Sequence, residues 1–233
     1  MVYLYCLLRA TREPPAGLVG VDDAPVRAVD LGGLCAWVSD VDAGTIVASP
    51  ARARSHDRVV RRALDWETPL PARFGQLVAD VAGLTDMVAS RRPALSSALD
   101  AVAGSVEMTV RMLLPADARE APSRRRAPHD RSTNTGRAYL ERVSADQRRE
   151  RNVLAQAGIV RERVSSAVQG LVRAEAFTGA SVGSGMATVA HLVPRENVEV
   201  YRSALLQLRS NEPTLAIMVS GPWAPYSFTE VGA

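Results

Sequence analysis

Three histidines, His56, His129 and His191, come first among the residues of this 233-residue chain that could do chemistry. Imidazole serves acid–base catalysis and metal binding alike. None of the three has a second His, Cys or carboxylate at a ligand spacing such as H-x-x-x-H, and a zinc site needs three or four ligands. No metal site is expected. The stretch GASVGSGMAT, Gly179 to Thr188, resembles a phosphate loop only on the surface. A P-loop requires a lysine, and all 28 basic residues here are arginine. A dinucleotide loop follows a strand and opens a helix, whereas this stretch follows a helical pattern and opens a strand-like one. The G-x-S-x-G nucleophile elbow is absent as well. No catalytic residue and no cofactor are expected, so the sequence does not read as an enzyme. A pocket lined by Arg73, His56 and a carboxylate would argue against that reading.

Arginine placement offers two further candidates. From Arg119 to Arg173 there are 13 Arg against 6 acidic residues, including the run Arg124-Arg125-Arg126. Phosphate neutralisation would make such a run a nucleic-acid contact, which is the alternative reading of the chain. No aromatic residue is interleaved there for base stacking, and no binding module surrounds it. A solvated basic loop fits better, and no nucleic-acid partner is expected. The second candidate is PARFGQ, Pro71 to Gln76. Arg73 could grip a carboxylate there while Gly75 permits a tight bend. Equally, Phe74 could plug the core while Arg73 caps a helix C-terminus.

Aromatic residues make up 5% of the chain, yet three of them fall in GPWAPYSF, Gly221 to Phe228. Pro222 and Pro225 each remove a backbone donor, so a strand must end near Gly221. Trp223, Tyr226 and Phe228 then either fold back as a lock on the structure or form a patch for a partner. The lock is the favoured reading.

The elements that must position these residues follow from periodicity. Val2 to Leu8 reads as a buried strand, and Val26–Val29 with Leu34–Ser39 as a hairpin about Gly32-Gly33. Ser49-Pro50 opens a helix through His56, and Thr68-Pro69 stops it. A second helix is expected over about Val81 to Ala103, bent or divided at Pro93. Val106, Met108, Val110, Met112 and Leu114 alternate as a strand. The Pro/Ser/Arg-rich segment at about Ala116–Gly136 reads as a mobile loop, and a long helix follows at about Arg137–Phe177, with a break at Gly158. TGASVGSG reads as a connector, followed by strand, amphipathic helix and strand. Cys6 and Cys35 lie in apolar runs and read as inert core thiols. The fold class is α+β: two small mixed α/β domains, 1–103 and 104–233, the second a modified ferredoxin-like layout missing or modifying one strand. No signal peptide or membrane helix is evident, and a cytoplasmic location is expected.

Several of these motifs occur in a familiar order. VYLYCLL, LPARFGQ after the helix carrying His56, GSVEMTVRM, RAYLERV, HLVPRENVEVYRSALLQL and the terminal GPWAPYSF together resemble the gas vesicle accessory protein family GvpF/GvpL over nearly the whole chain. The terminal motif stands as Gly221, Pro222, Trp223, Ala224, Pro225, Tyr226, Ser227, Phe228, with Ala224 where the family has a second proline. Arg73, Phe74 and Gly75 match its R-F-G, with Gln76 in the last place. The resemblance implies a non-enzymatic minor component or assembly factor of gas vesicles. Its partners would be the hydrophobic shell protein and other gas vesicle accessory proteins, with no membrane partner.

Overall fold

The structure, a computed structural model, describes residues 1–9, 11–42, 47–114, 135–181 and 184–229. It is a mixed α+β architecture with two antiparallel sheets. The expected mobile loop falls almost wholly outside the described residues, and with it His129 and Arg124 to Arg126.

The first sheet is centred on β1 (Val2–Leu8), every residue of which is buried. On one side β1 pairs antiparallel with β3 (Cys35–Asp40), which pairs in turn with β2 (Arg27–Asp30). Two short strands, β4 (Leu70–Pro71) and β5 (Leu77–Val78), also pair with β1. The register of β1 on β3 shifts between Leu4 and Cys6, a bulge centred on Tyr5. Helix α1 (Pro50–Leu64) packs on β1 and starts as its sequence dictates: the Ser49 side chain accepts from the Arg52 N–H at 3.2 Å, and Pro50 occupies the first turn. His56, Val59, Val60, Ala63 and Leu64 form its buried stripe. Helix α2 (Val81–Val102) is capped by Asp80 and runs undivided through Pro93. Leu84 and Val88 before the proline, and Leu95, Leu99 and Val102 after it, are buried on both sides of the lost hydrogen bond. Packing therefore outweighs the local break. Cys6 and Cys35 are free and buried, and burial pushes both thiols up.

The second sheet has the order β7-β8-β6-β9, from β6 (Ser105–Leu113), β7 (Ala174–Ser181), β8 (Met186–Pro194) and β9 (Ala216–Trp223). Helix α3 (Thr135–Ala167) lies between β6 and β7 in the chain, and α4 (Val198–Asn211) between β8 and β9. Two expectations are corrected here. The long helix ends at Ala167, not Phe177: Gly170, at φ +78°, turns the chain and the segment read as helix end and connector forms β7. The sheet consequently has four strands rather than three. The signal was weak because β7 is an edge strand of mostly small, partly exposed residues, with no apolar alternation. Gly158 does not interrupt α3. Along α3, Val153, Ala157, Val160 and Val164 are buried, as is Val168 just beyond its end, whereas Leu154 is 49% exposed.

By compactness the chain falls into two units. One comprises Met1–Met108, Leu192–Glu196 and Gly221–Ala233, the other Thr109–His191 and Asn197–Ser220.

Candidate functional site

In the first unit, a buried polar network gathers around His56. Its Nδ1 accepts from the Tyr3 hydroxyl at 2.9 Å, and its Nε2–H donates to the Ala72 carbonyl at 3.2 Å. The Tyr3 oxygen also accepts from the Gly75 N–H at 3.0 Å. With both ring nitrogens committed, and burial opposing the charged form, the His56 pKa is pushed down to about 4, against a smaller upward pull from the Ala72 carbonyl. The imidazole is neutral at pH 7. Burial likewise pushes the Tyr3 phenol up to about 12. Tyr5 packs at 4.8 Å from Tyr3, centroid to centroid, and its hydroxyl bridges Ser39 and the Val21 N–H. These groups satisfy one another; they anchor loops to the sheet.

The same network holds PARFGQ. Gly75 adopts φ +85°, which lets its N–H reach Tyr3. Phe74 meets Tyr3 and His56 edge-on, with centroids 6.3 and 5.9 Å away, and packs against the core. Arg73 is exposed and makes no ion pair among the described residues; its carbonyl accepts from the Gln76 N–H in the turn. Neither role weighed for Arg73 is therefore filled by it. The C-terminal carbonyl of α1 is instead capped by Arg195, whose Nη2 donates to the Leu64 oxygen at 2.5 Å.

The C-terminal motif lies in this unit too. Gly221 has φ +125°, and a Cβ there would lie 2.8 Å from both the Glu107 carbonyl oxygen and the Met108 sulfur. After β9 ends, Tyr226–Phe228 form a single 3-10 turn. The Glu107 carboxylate, only 6% exposed, takes both donors of Ser227: the backbone N–H at 2.7 Å and the hydroxyl at 3.0 Å. Ala224 and Pro225 are the buried residues of the motif, and Ala224 belongs to the core cluster of Tyr3, Tyr5, Cys6, Val60 and Ala63. The aromatics sit further out. Tyr226 is 37% exposed with its ring 6.4 Å from His56, and Trp223, half-buried, lies beneath the Arg61 guanidinium at 4.0 Å. Burial raises the Tyr226 phenol, against a smaller lowering by Arg61.

Sequence reasoning thus found PARFGQ and GPWAPYSF but missed the groups that join them to the core. Glu107 sits inside an apolar alternation and reads as the solvent face of a strand. Only the unusual Ser in GPWAPYSF hints at a partner. The second unit holds a comparable cluster that sequence reasoning also missed. Glu175 accepts from Arg161 at 2.5 Å, from Ser165, and from His191 at 3.0 Å, and His191 accepts from Tyr201 at 2.7 Å. Burial lowers the His191 pKa against the pull of Glu175, so it too is neutral at pH 7. Among the described residues no group of three or more His, Cys, Asp or Glu could hold a metal ion. Two open clefts lie away from Arg73 and His56: about 100 Å³ beside Leu8, Arg12, Trp66 and Glu67, and about 550 Å³, wide open, between α3 and α4.

Comparison with known proteins gives this arrangement a family. The profile of the gas vesicle synthesis protein family GvpL/GvpF matches residues 1–230, nearly the entire chain. The chain belongs to the GvpL/GvpF family. Similar relatives include gas vesicle protein L2 of Halobacterium salinarum, 29% identical with 97% of this chain and 90% of the relative covered. Gas vesicle protein L of a Streptomyces species is 25% identical, over 93% and 88%. In fold, the chain matches the crystal structure of gas vesicle protein GvpF from Anabaena at a TM-score of 0.77, covering 100% of this chain and 99% of that one at 19% identity. Family membership rests on the sequence match over residues 1–230, and the structural likeness shows the fold. Membership places the chain among gas vesicle accessory proteins.

Proposed function

We propose that this chain is a gas vesicle assembly factor that binds the hydrophobic shell protein and assists its nucleation or assembly, acting through its surface rather than by catalysis. The observation that carries the proposal is the family match over residues 1–230. The polar clusters support a non-catalytic role. His56 and His191 have both ring nitrogens occupied by neighbours of their own fold, and Glu107 spends both carboxylate oxygens on Ser227. Such groups position chain segments and leave nothing poised for a substrate. PARFGQ and the Gly221–Phe228 motif hold the fold together on this reading, with exposed Arg73 and the outer rims of Trp223 and Tyr226 as the parts open to a partner. Assembly of an apolar shell subunit calls for a factor that covers apolar surface until subunits pair correctly.

The test is co-expression with the major shell protein of the same gene cluster, followed by affinity capture of this chain in moderate salt. Shell protein is expected to co-purify and to survive salt that screens exposed charge pairs. Absence of shell protein from a folded sample would overturn the proposal.

A further inference from the structure

The second unit fastens an edge strand through charge rather than through apolar packing. β7 lies at the end of its sheet, and none of its eight residues is fully buried. Its Glu175 carboxylate, 18% exposed, accepts from the Arg161 guanidinium at 2.5 Å and from the Ser165 hydroxyl, both on α3. Arg161 also lies over the Phe177 ring of β7, 5.5 Å from its centroid. A third donor, the His191 Nε2–H on β8, reaches the same carboxylate at 3.0 Å. The far side of that ring is taken as well: Nδ1 accepts from the Tyr201 hydroxyl of α4 at 2.7 Å. His191 and Tyr201 are both without solvent exposure. Among the described residues, the titratable and charged groups facing the imidazole are Glu175 from β7, Arg161 from α3 and Tyr201 from α4. From β6, the other neighbour of β8, the buried residues Val110 and Met112 bring no charge.

This chain of donors works only with a neutral ring. A second proton on His191 would sit on Nδ1 and face the Tyr201 hydroxyl, which then loses its acceptor where water does not reach. It would also set a second cation beside Arg161 against a single carboxylate. We propose that the Glu175–His191–Tyr201 chain is an acid-sensitive latch, which holds β7 against α3 and lets it go when the cluster takes up protons. Burial keeps the His191 pKa below its ordinary 6.5, against the pull of Glu175. Its share of the latch is therefore complete above about pH 6.5 and declines below it. Burial opposes the Glu175 charge, but Ser165, Arg161 and His191 outweigh it and hold the carboxyl below its ordinary 4.5. The share of Glu175 is lost only at lower pH still. Release is local, because β7 has no buried side chain and is otherwise held by its pairing with β8.

Hydrogen exchange of the full chain, resolved by segment and corrected for the intrinsic rate at each pH, tests the latch. Between pH 7.5 and pH 5, exchange in β7 is expected to speed up at least about three-fold more than in β6. His191→Gln, which cannot titrate, is expected to remove that excess. Glu175→Gln is expected to speed exchange in β7 at pH 7.5 already. An equal change in β7 and β6 of the parent overturns the latch. So does an excess that persists in folded His191→Gln, or parent-level protection of β7 in Glu175→Gln at pH 7.5. If His191→Gln does not fold, the parent and Glu175→Gln decide.

Discussion

At the residue scale, His56 shows how a titratable group becomes a structural one. Its imidazole is held between Tyr3 and Ala72 at 2.9 and 3.2 Å, and its pKa falls from 6.5 to about 4 on folding. The unfolded chain therefore binds a proton that the fold refuses. Stability from this group is complete above about pH 6.5 and declines as the pH drops toward 4, by an amount on the order of 3 kcal/mol. Thermal melts from pH 7 to pH 4 are expected to show a steeper loss of Tm for the parent than for His56→Gln, which cannot titrate. Parallel profiles would contradict it. Glu107 makes a second case. Ser227→Ala removes one of two bonds to a carboxylate that is almost fully buried, and a loss of about 1–2 kcal/mol in denaturant unfolding is expected. The sequence placed His56 on the helix that Ser49-Pro50 opens. It could not show Tyr3 or Ala72 as partners, since those contacts close only when β1 and the turn after β4 meet the helix. Glu107 was hidden more thoroughly: a single carboxylate among alternating Val and Met residues has the pattern of an ordinary solvent-facing position.

At the element scale, local signals were right where local chemistry governs and failed where packing or edge position does. Ser49-Pro50 capped α1 as its chemistry requires. Pro93 did not divide α2, because buried leucines and valines on both sides hold the helix across the missing hydrogen bond. β7 escaped notice because mostly small, partly exposed residues at a sheet edge have no alternation to detect. The Gly221–Phe228 segment belongs to the same scale. Three aromatic residues in eight suggested that the rings do the locking, yet the buried residues are Ala224 and Pro225, with Ser227 tied to Glu107. Ala224→Leu is therefore expected to lower the Tm more than Trp223→Ala. The larger side chain overpacks a site among Tyr3, Tyr5 and Val60, a cost of about 1–3 kcal/mol. Trp223→Ala removes a half-buried ring and its contact with Arg61, and that cation–π contact contributes about 0.5–1 kcal/mol. The reverse order in melts would show that the aromatics carry the lock. Gly221→Ala is expected to be at least as damaging as Ala224→Leu, since its Cβ would press on the β6 backbone at an unfavourable φ.

At the scale of the whole molecule, the family match places the chain among gas vesicle accessory proteins, and the role proposed for it is that of an assembly factor that covers apolar surface. No helix among the described residues is long and apolar enough to cross a membrane. The most direct test of that account is the turbidity of the major shell protein diluted from denaturant, with and without an equimolar amount of this chain, at low and at moderate salt. The account predicts that the folded chain suppresses turbidity under both conditions, because apolar contact is not screened by ions. Equal turbidity with and without the folded chain would contradict it.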